Sequence, residues 1–500
     1  MLRKKQVIAL VMVSIIVALL LATSVFAEVE MYPAKKTAVD WVDTNKDQIT
    51  KVSKAIWNYA ELGWQEFKSS AELQDFLKEN GFKVERVLGL PTAIVATYGQ
   101  GKPVIGILGE YDSVAMCSQK AGVPYQDPLV AIGSEVGPGH GCGHNLYGAG
   151  SAAAAIAVSK AIKEQGLSGT VKFFGAPAEE ILEGKIFMAK EGAFDGTDTM
   201  LTWHPGDSNR MGAGSCLALS SVKFSFVGKT AHAGTSPEQG RSALDAVMIT
   251  DVAANYVREH MVESDRIQCV VTSGGVQPNV IPDYAEIWYF LRAPNIVELK
   301  DLLRRLTLCA EAGALASETK MSRYIVTGTW PVLPNLSLTQ LGWDNLNLLG
   351  IPQWTEEEVN FAKEVQKNAG LSQKGLATTL LPRATAIGGQ GKYSTDMGDV
   401  SWITPSSSFG VAGNIIGAVG HSWSTVTSTG MEIGEKGMLK AAQVLAASAV
   451  DLLTNPELLK EVKEEWEEGR KDIQYETLLG PESKPSLDYF KTEMKKFYQD

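Results

Sequence analysis

The stretch Gly139-His140-Gly141-Cys142-Gly143-His144-Asn145 concentrates residues that can do chemistry. A thiolate at Cys142 and an imidazole at His144, two positions apart, can bind one metal centre, and the glycines let the backbone fold tightly around it. Taken alone, the stretch reads more simply as a glycine-rich turn with a buried Cys and a capping His. Three other segments add weight to the metal reading. Glu179-Glu180 closely follow the apolar run Val171–Phe174. Adjacent carboxylates usually begin a solvated helix, but ligands of α/β sheets gather where strands end. The run Met200–Trp203 ends in His204-Pro205, and Gly420-His421-Ser422 closes a glycine-rich segment. His260 is the contrast, a surface histidine in the charged stretch Arg258–Glu263.

Alternating helical and apolar segments must position these groups. Lys36–Lys78 reads as two amphipathic helices, with Val39, Val42, Ile49, Val52 and Ile56 at helical spacing. Val104–Leu108, Val171–Phe174 and Met200–Trp203 read as buried strands, with an Ala-rich helix, Leu146–Lys163, after the first. That rhythm predicts an α/β fold with a mainly parallel sheet. Near Gly214 the pattern changes: Val222, Phe224 and Phe226 alternate with Lys223 and Ser225, as in a strand with one wet face. A helix (Ser242–Met261), strands at Ile267–Thr272 and Ala285–Leu291, a helix at Val297–Ala312 and a strand near Arg323–Thr327 complete a βαββαβ order. That order predicts an inserted split-βαβ domain. A helix is read at Met438–Leu453 and a solvated one over Glu457–Lys471. The domain reading is 28–214 and 331–500 for the larger domain and 215–330 for the insert.

These segments, with Glu110-Tyr111-Asp112, Ala231-His232-Ala233 plus Pro237, and Asn279-Val280-Ile281-Pro282, stand in the order of a known family. Over nearly all of its length after residue 27 the chain resembles the aminoacylase/glutamate-carboxypeptidase type of dinuclear metallopeptidases. The branch it is most similar to holds hippurate, auxin-conjugate and p-aminobenzoyl-glutamate hydrolases. The resemblance implies that Cys142, His144, Glu180, His204 and His421 ligate two divalent metal ions, zinc or manganese, with Glu179 as general base. It makes the insert a lid and dimerisation domain whose His232 and Asn279 act on the substrate. Arg292, ending a lid strand, would bind a free carboxylate, with a solvent-facing strand-end arginine as the alternative reading. Asp112 would orient a metal-bound histidine, and His140 would stand behind the ligands. The branch commonly has Met-His-Ala-Cys-Gly-His-Asp. Here Gly139, Gly141 and Asn145 replace three of those residues, and the missing carboxylate beside His144 should weaken that ligand's orientation.

The expected function is a metal-dependent amidohydrolase acting on N-acyl or N-aroyl amino acids, p-aminobenzoyl-glutamate among them. The alternatives in its class are a dipeptidase or an N-acyl amino acid deacetylase. The expected partners are that small substrate and a second subunit, in a homodimer or heterodimer formed through the lid. From another class comes an exported solute-binding protein that has lost turnover, but such a protein has no need of Glu179 beside Glu180. A thiol redox protein would need a second Cys near Cys142, and Cys117 stands well upstream in sequence.

Arg3, Lys4 and Lys5, the uncharged run Val7–Ala27 and the Val-Phe-Ala ending read as a secretory signal peptide over residues 1–27, or as an anchor if uncleaved. Export to the periplasm or outside the cell is expected. Its removal takes away three basic and no acidic residues, so the formal charge moves from −11 to −14. Such acidity disfavours nucleic acid and anionic lipid, so no nucleic-acid partner and no membrane contact beyond that anchor are expected. Five scattered cysteines are no disulfide framework.

Overall fold

The computed structural model describes residues 30–382 and 387–498, and the 1–27 segment read as a signal peptide lies outside the described residues. Among the described residues three helices come first: α1 (Pro33–Thr44), α2 (Lys46–Tyr59) and α3 (Phe67–Glu79). The apolar spacing predicts two. The chain breaks at Asn45, whose φ of −108° and ψ of 17° lie outside the helical well. The spacing runs through that break, because Val42 and Ile49 on either side both enter the core.

Eight strands build the main sheet: β1 (Lys83–Arg86), β2 (Ile94–Gln100), β3 (Val104–Glu110), β6 (Gly169–Ala176), β7 (Thr199–Gly206), β8 (Arg210–Ser215), β13 (Ile387–Gln390) and β14 (Ser406–Ala412). They lie in the order β1-β2-β6-β3-β7-β14-β8-β13. A small hairpin, β4 (Ala131–Ile132) with β5 (Glu135–Val136), stands apart. The four central strands β6, β3, β7 and β14 are mutually parallel. Antiparallel pairings of β1 with β2, β2 with β6, and β14 with β8 make the whole sheet mixed but mostly parallel.

The helix between β3 and β6, α4 (His144–Gln165), is apolar on every side, and Ala152 to Ala155 are fully buried. Alanine favours the helix and its small side chain lets α4 lie close to β3 and to α1. The short helix α5 (Gly184–Lys190) follows β6.

The insert contributes β9 (Ala218–Val227), β10 (Arg266–Ser273), β11 (Tyr284–Ala293) and β12 (Lys320–Thr329), which form a separate antiparallel sheet in the order β10-β11-β9-β12. Two helices, α6 (Ala243–Val257) and α7 (Ile296–Ser317), pack on it. Val222, Phe224 and Phe226 are buried beneath them, while Lys223 and Ser225 point away. The fold is therefore α/β, with a βαββαβ insert beside a mostly parallel sheet. Among the described residues one helix, Glu432–Thr454, is long and apolar enough to cross a membrane, and it is a buried core helix.

Candidate active site

The candidate site lies at the carboxyl ends of the central strands. β3 ends in Glu110, β6 runs towards Glu179-Glu180, and β7 carries His204. Cys142 precedes α4, His144 is its first residue, and His421 sits just before the helix Trp423–Thr429.

Local backbone geometry explains the glycines. Gly143 has φ +81°, and a side chain there would come within 2.8 Å of Pro205 Cγ. A Cβ on Gly141 would lie 2.9 Å from His421 Cα. The close approach seats His421, whose N–H donates to Gly141 O at 3.0 Å and whose own φ is +58°. Left-handed backbone recurs around the carboxylates: Ala178 (φ 51°) and Leu182 (φ 56°) bracket the single turn Glu179–Ile181. Each such non-glycine residue costs about 1–2 kcal/mol, so the surroundings must hold the turn. Glu66 accepts from Ala178 N at 2.8 Å, Asp112 accepts from Glu180 N at 2.9 Å, and the Thr327 hydroxyl donates to Leu182 O.

Ligand-type atoms converge in two groups that share one residue. Cys142, His144 and His204 form one, and Cys142, Glu180 and His421 form the other, with the atoms of each group within 4.8 Å of one another. Cys142 Sγ is 3.4 Å from His204 Nε2, and His421 Nε2 is 3.2 Å from Glu180 Oε2. Two of the histidines have their other nitrogen engaged. His204 Nδ1 pairs with Pro205 O at 2.8 Å, and His144 Nδ1 pairs with Asp112 Oδ1 at 2.9 Å. The carboxylate that steadies His144 is thus Asp112. Asn145 turns its amide to Ser53 and Thr429 instead, so the replacement of an acid there does not leave His144 without orientation. A third group joins His144 to Glu110 and Glu179. Glu110 Oε2 is 3.1 Å and Glu179 Oε2 4.0 Å from His144 Nε2.

A cation fits this donor set. Glu180 Oε1 is buried without a hydrogen-bond partner, and buried His144 Nε2 faces Glu110 at 3.1 Å without making a hydrogen bond to it, which buried polar atoms rarely tolerate. Burial, aided by the Glu180 charge, pushes the Cys142 thiol up to about 12, and burial with the Asp112 and Glu110 charges pushes Glu180 up to about 7. Burial and the neighbouring His144 drive His204 down to about 4, leaving a neutral imidazole. Burial disfavours charge on His144, but Cys142, Glu110 and Asp112 outweigh it and raise its pKa well above the ordinary histidine value. Thiol, imidazole and carboxylate in this arrangement suit a divalent transition metal.

Glu179 accepts from the Thr395 hydroxyl at 3.3 Å, and burial followed by the Glu110 charge raises its pKa well above the usual carboxylate range. Arg292 reaches the same wall from β11 of the insert, donating to Ser394 Oγ at 2.7 Å. His140 lies beneath the loop, its Nε2 3.0 Å from Ile56 O. His232 and Asn279 are brought together elsewhere, on two exposed loops of the insert where Ala233 N donates to Asn279 O at 3.1 Å. Two groups at the site are not foreseen from the sequence. Lys185 and Asp396 are fully buried beside Glu110 and form an ion pair. In sequence Lys185 resembles any lysine on a short amphipathic helix, and Asp396 lies in a polar loop.

A family model described as a peptidase dimerisation domain matches residues 218–318. A solved structure with a TM-score of 0.54 and 17% identity covers 82% of this chain and 99% of its own: a dinuclear metal binding peptidase of the M20 family from Bacillus subtilis. With a relative 37% identical over most of both chains, these findings show that the chain belongs to the M20 peptidase family, and it is a metal-dependent hydrolase of the amidohydrolase class. That relative is a subunit of the p-aminobenzoyl-glutamate hydrolase of Escherichia coli (strain K12), aligned over 457 residues, 86% of this chain and 94% of its own. The mouse (Mus musculus) Xaa-Arg dipeptidase is 28% identical across 89% of this chain and 94% of its own.

Proposed function

We propose that the chain hydrolyses the amide bond of an N-aroyl or N-acyl amino acid, with p-aminobenzoyl-glutamate as the leading substrate. The observation that carries this reading is the pair of three-ligand groups meeting at Cys142, with Glu179 beside them outside both. Cys142, His144 and His204 would hold one ion, and Cys142, Glu180 and His421 the other. When bound, two such ions supply Lewis acidity at the scissile carbonyl and acidify water; zinc and manganese both suit the donors. Glu179, steadied by Thr395, takes the proton from the attacking water and passes it to the leaving nitrogen. Arg292 offers a two-pronged donor to the free carboxylate. The 37% identity to a p-aminobenzoyl-glutamate hydrolase supports the substrate.

A substrate panel tests this. Turnover of p-aminobenzoyl-glutamate should exceed that of p-aminobenzoyl-4-aminobutyrate, which lacks only the α-carboxylate, by about 100-fold in kcat/KM, as expected for losing a charge-assisted contact of about 3 kcal/mol. Equal rates would remove the role given to Arg292. Preference for dipeptides ending in arginine would favour the dipeptidase reading, which the Xaa-Arg dipeptidase likeness supports.

We further propose that the active form is a dimer through the lid and that the protein is exported by its first 27 residues. The dimer is supported by the match to the dimerisation model and by an apolar surface on α6, where Met248, Val252 and Tyr256 are exposed beside the edge strand β10, with Val270 and Val271. His232 then acts in trans. Its Nδ1 accepts N–H groups of Gly234 and Thr235 at 3.1 and 3.2 Å, which puts the proton on Nε2 and presents a donor outward. Such a donor stabilises the oxyanion that develops in the transition state. His232→Ala should lower kcat by about 10²-fold with little change in KM. Mixing that chain with a Glu179→Gln chain should restore activity, because one site of the mixed dimer holds both residues. A verified mixed dimer without recovery would place His232 outside the partner's site.

A further inference from the structure

Lys185 is the fully buried lysine of α5. Its Nζ lies 2.7 Å from Glu110 Oε1 and 2.5 Å from Asp396 Oδ1, and its N–H donates to Asp396 Oδ2 at 2.9 Å. A buried ammonium is expensive to desolvate, and α5 is already anchored by buried Ile186, Phe187 and Met188. What its two partners touch accounts for it. Glu110 Oε2 faces His144 Nε2 at 3.1 Å, and Asp112, just past the end of β3, holds both His144 Nδ1 and Glu180 N. On the other side, Asp396 directly follows Thr395, whose hydroxyl holds Glu179, and Ser394, which receives Arg292. Lys185 itself is five residues beyond Glu180 on the chain that carries the turn.

We propose that Lys185 is a positioning residue of the hydrolysis. Its ammonium clamps the β3 end, which fixes His144, to the 394–396 segment, which fixes Glu179 and Arg292. This rests on the reading of Glu179 as the base. Without the cation, two buried carboxylates would repel across the gap, and a neutral apolar side chain would fill the space without setting either distance. Misplacement of a reacting group by about 1 Å costs about 100-fold in rate.

The test is the metal-loaded full chain carrying Lys185→Met, Glu110→Gln and Asp396→Asn together, so that no charge is left stranded. Measured per metal-loaded site, KM should stay within about threefold while kcat falls by about 100-fold. Hydrogen exchange, which needs no substrate, should quicken by about tenfold in residues 178–183 and 394–397 and stay unchanged in α7. Failure of wild-type protein to cleave p-aminobenzoyl-glutamate would count against the proposed substrate, whereas the exchange result judges the clamp by itself. Wild-type kcat or wild-type exchange in the triple variant would overturn it. Should that variant not fold, Lys185→Arg, which keeps the charge, should retain far more activity than the neutral Lys185→Gln. Equal activity of those two would overturn the proposal as well.

Discussion

A Glu179→Gln chain is expected to bind its metals as the wild type does and to turn over substrate about 10³-fold more slowly. The amide has nearly the shape of the carboxylate, and its carbonyl oxygen can keep the Thr395 hydrogen bond. Neither ligand group that meets at Cys142 includes Glu179. What the substitution removes is the ability to accept a proton from water, so the loss should appear in kcat and leave KM near its starting value. Glu180 differs. One of its oxygens faces His421 at 3.2 Å and the other is buried without a partner, as a ligand's would be. Metal lost along with activity from the Glu179→Gln chain would mean that the two glutamates have exchanged roles.

Much of the scaffold is legible because it follows from local rules. The runs around Ile105, Phe173 and Leu201 are short, apolar and separated by helix-forming segments, and they become the parallel centre of the sheet. The alternation of Val222, Phe224 and Phe226 with polar residues marks β9, and the βαββαβ order of the insert follows from similar patterns. Strand direction at the sheet's margins was not legible, since β2 beside β6 and β8 beside β14 run antiparallel by choices of connection that no single segment encodes. The break at Asn45 was hidden for the opposite reason, because a continuous apolar stripe crosses it.

The site divides the same way. Cys142 with His144 and Glu179 with Glu180 stand out as candidates by type and spacing, but each pair alone also fits a turn or a helix start, and their roles were expected only from the resemblance. Their partition into two groups sharing Cys142 depends on loops that meet only in three dimensions, as Gly141 and His421 do across nearly three hundred residues. Asn145 shows the hazard of local inference: its neighbour His144 is oriented by Asp112, from a distant segment. Lys185 and Asp396 carry no motif and acquire meaning only as a buried pair.

The second large effect belongs to Cys142. Because its sulfur belongs to both ligand groups, Cys142→Ser should impair both at once, where loss of His204 or His421 would touch one. A neutral hydroxyl is a far poorer ligand than a thiolate, and the serine cannot be ionised at neutral pH to replace it. Burial, aided by the Glu180 charge, disfavours the thiolate, so a bound cation would be what keeps this sulfur ionised. Activity should fall by about 10²-fold or more, in line with losing the metal-assisted step. The most direct measurement is elemental analysis of metal per chain, made on wild-type and Cys142→Ser proteins dialysed side by side against the same buffer. Two ions per wild-type chain, with both depleted in the variant, is the predicted result. A single ion in the wild type, or a Cys142→Ser chain that keeps full occupancy and an unchanged rate, would contradict a two-metal centre built on one shared thiolate.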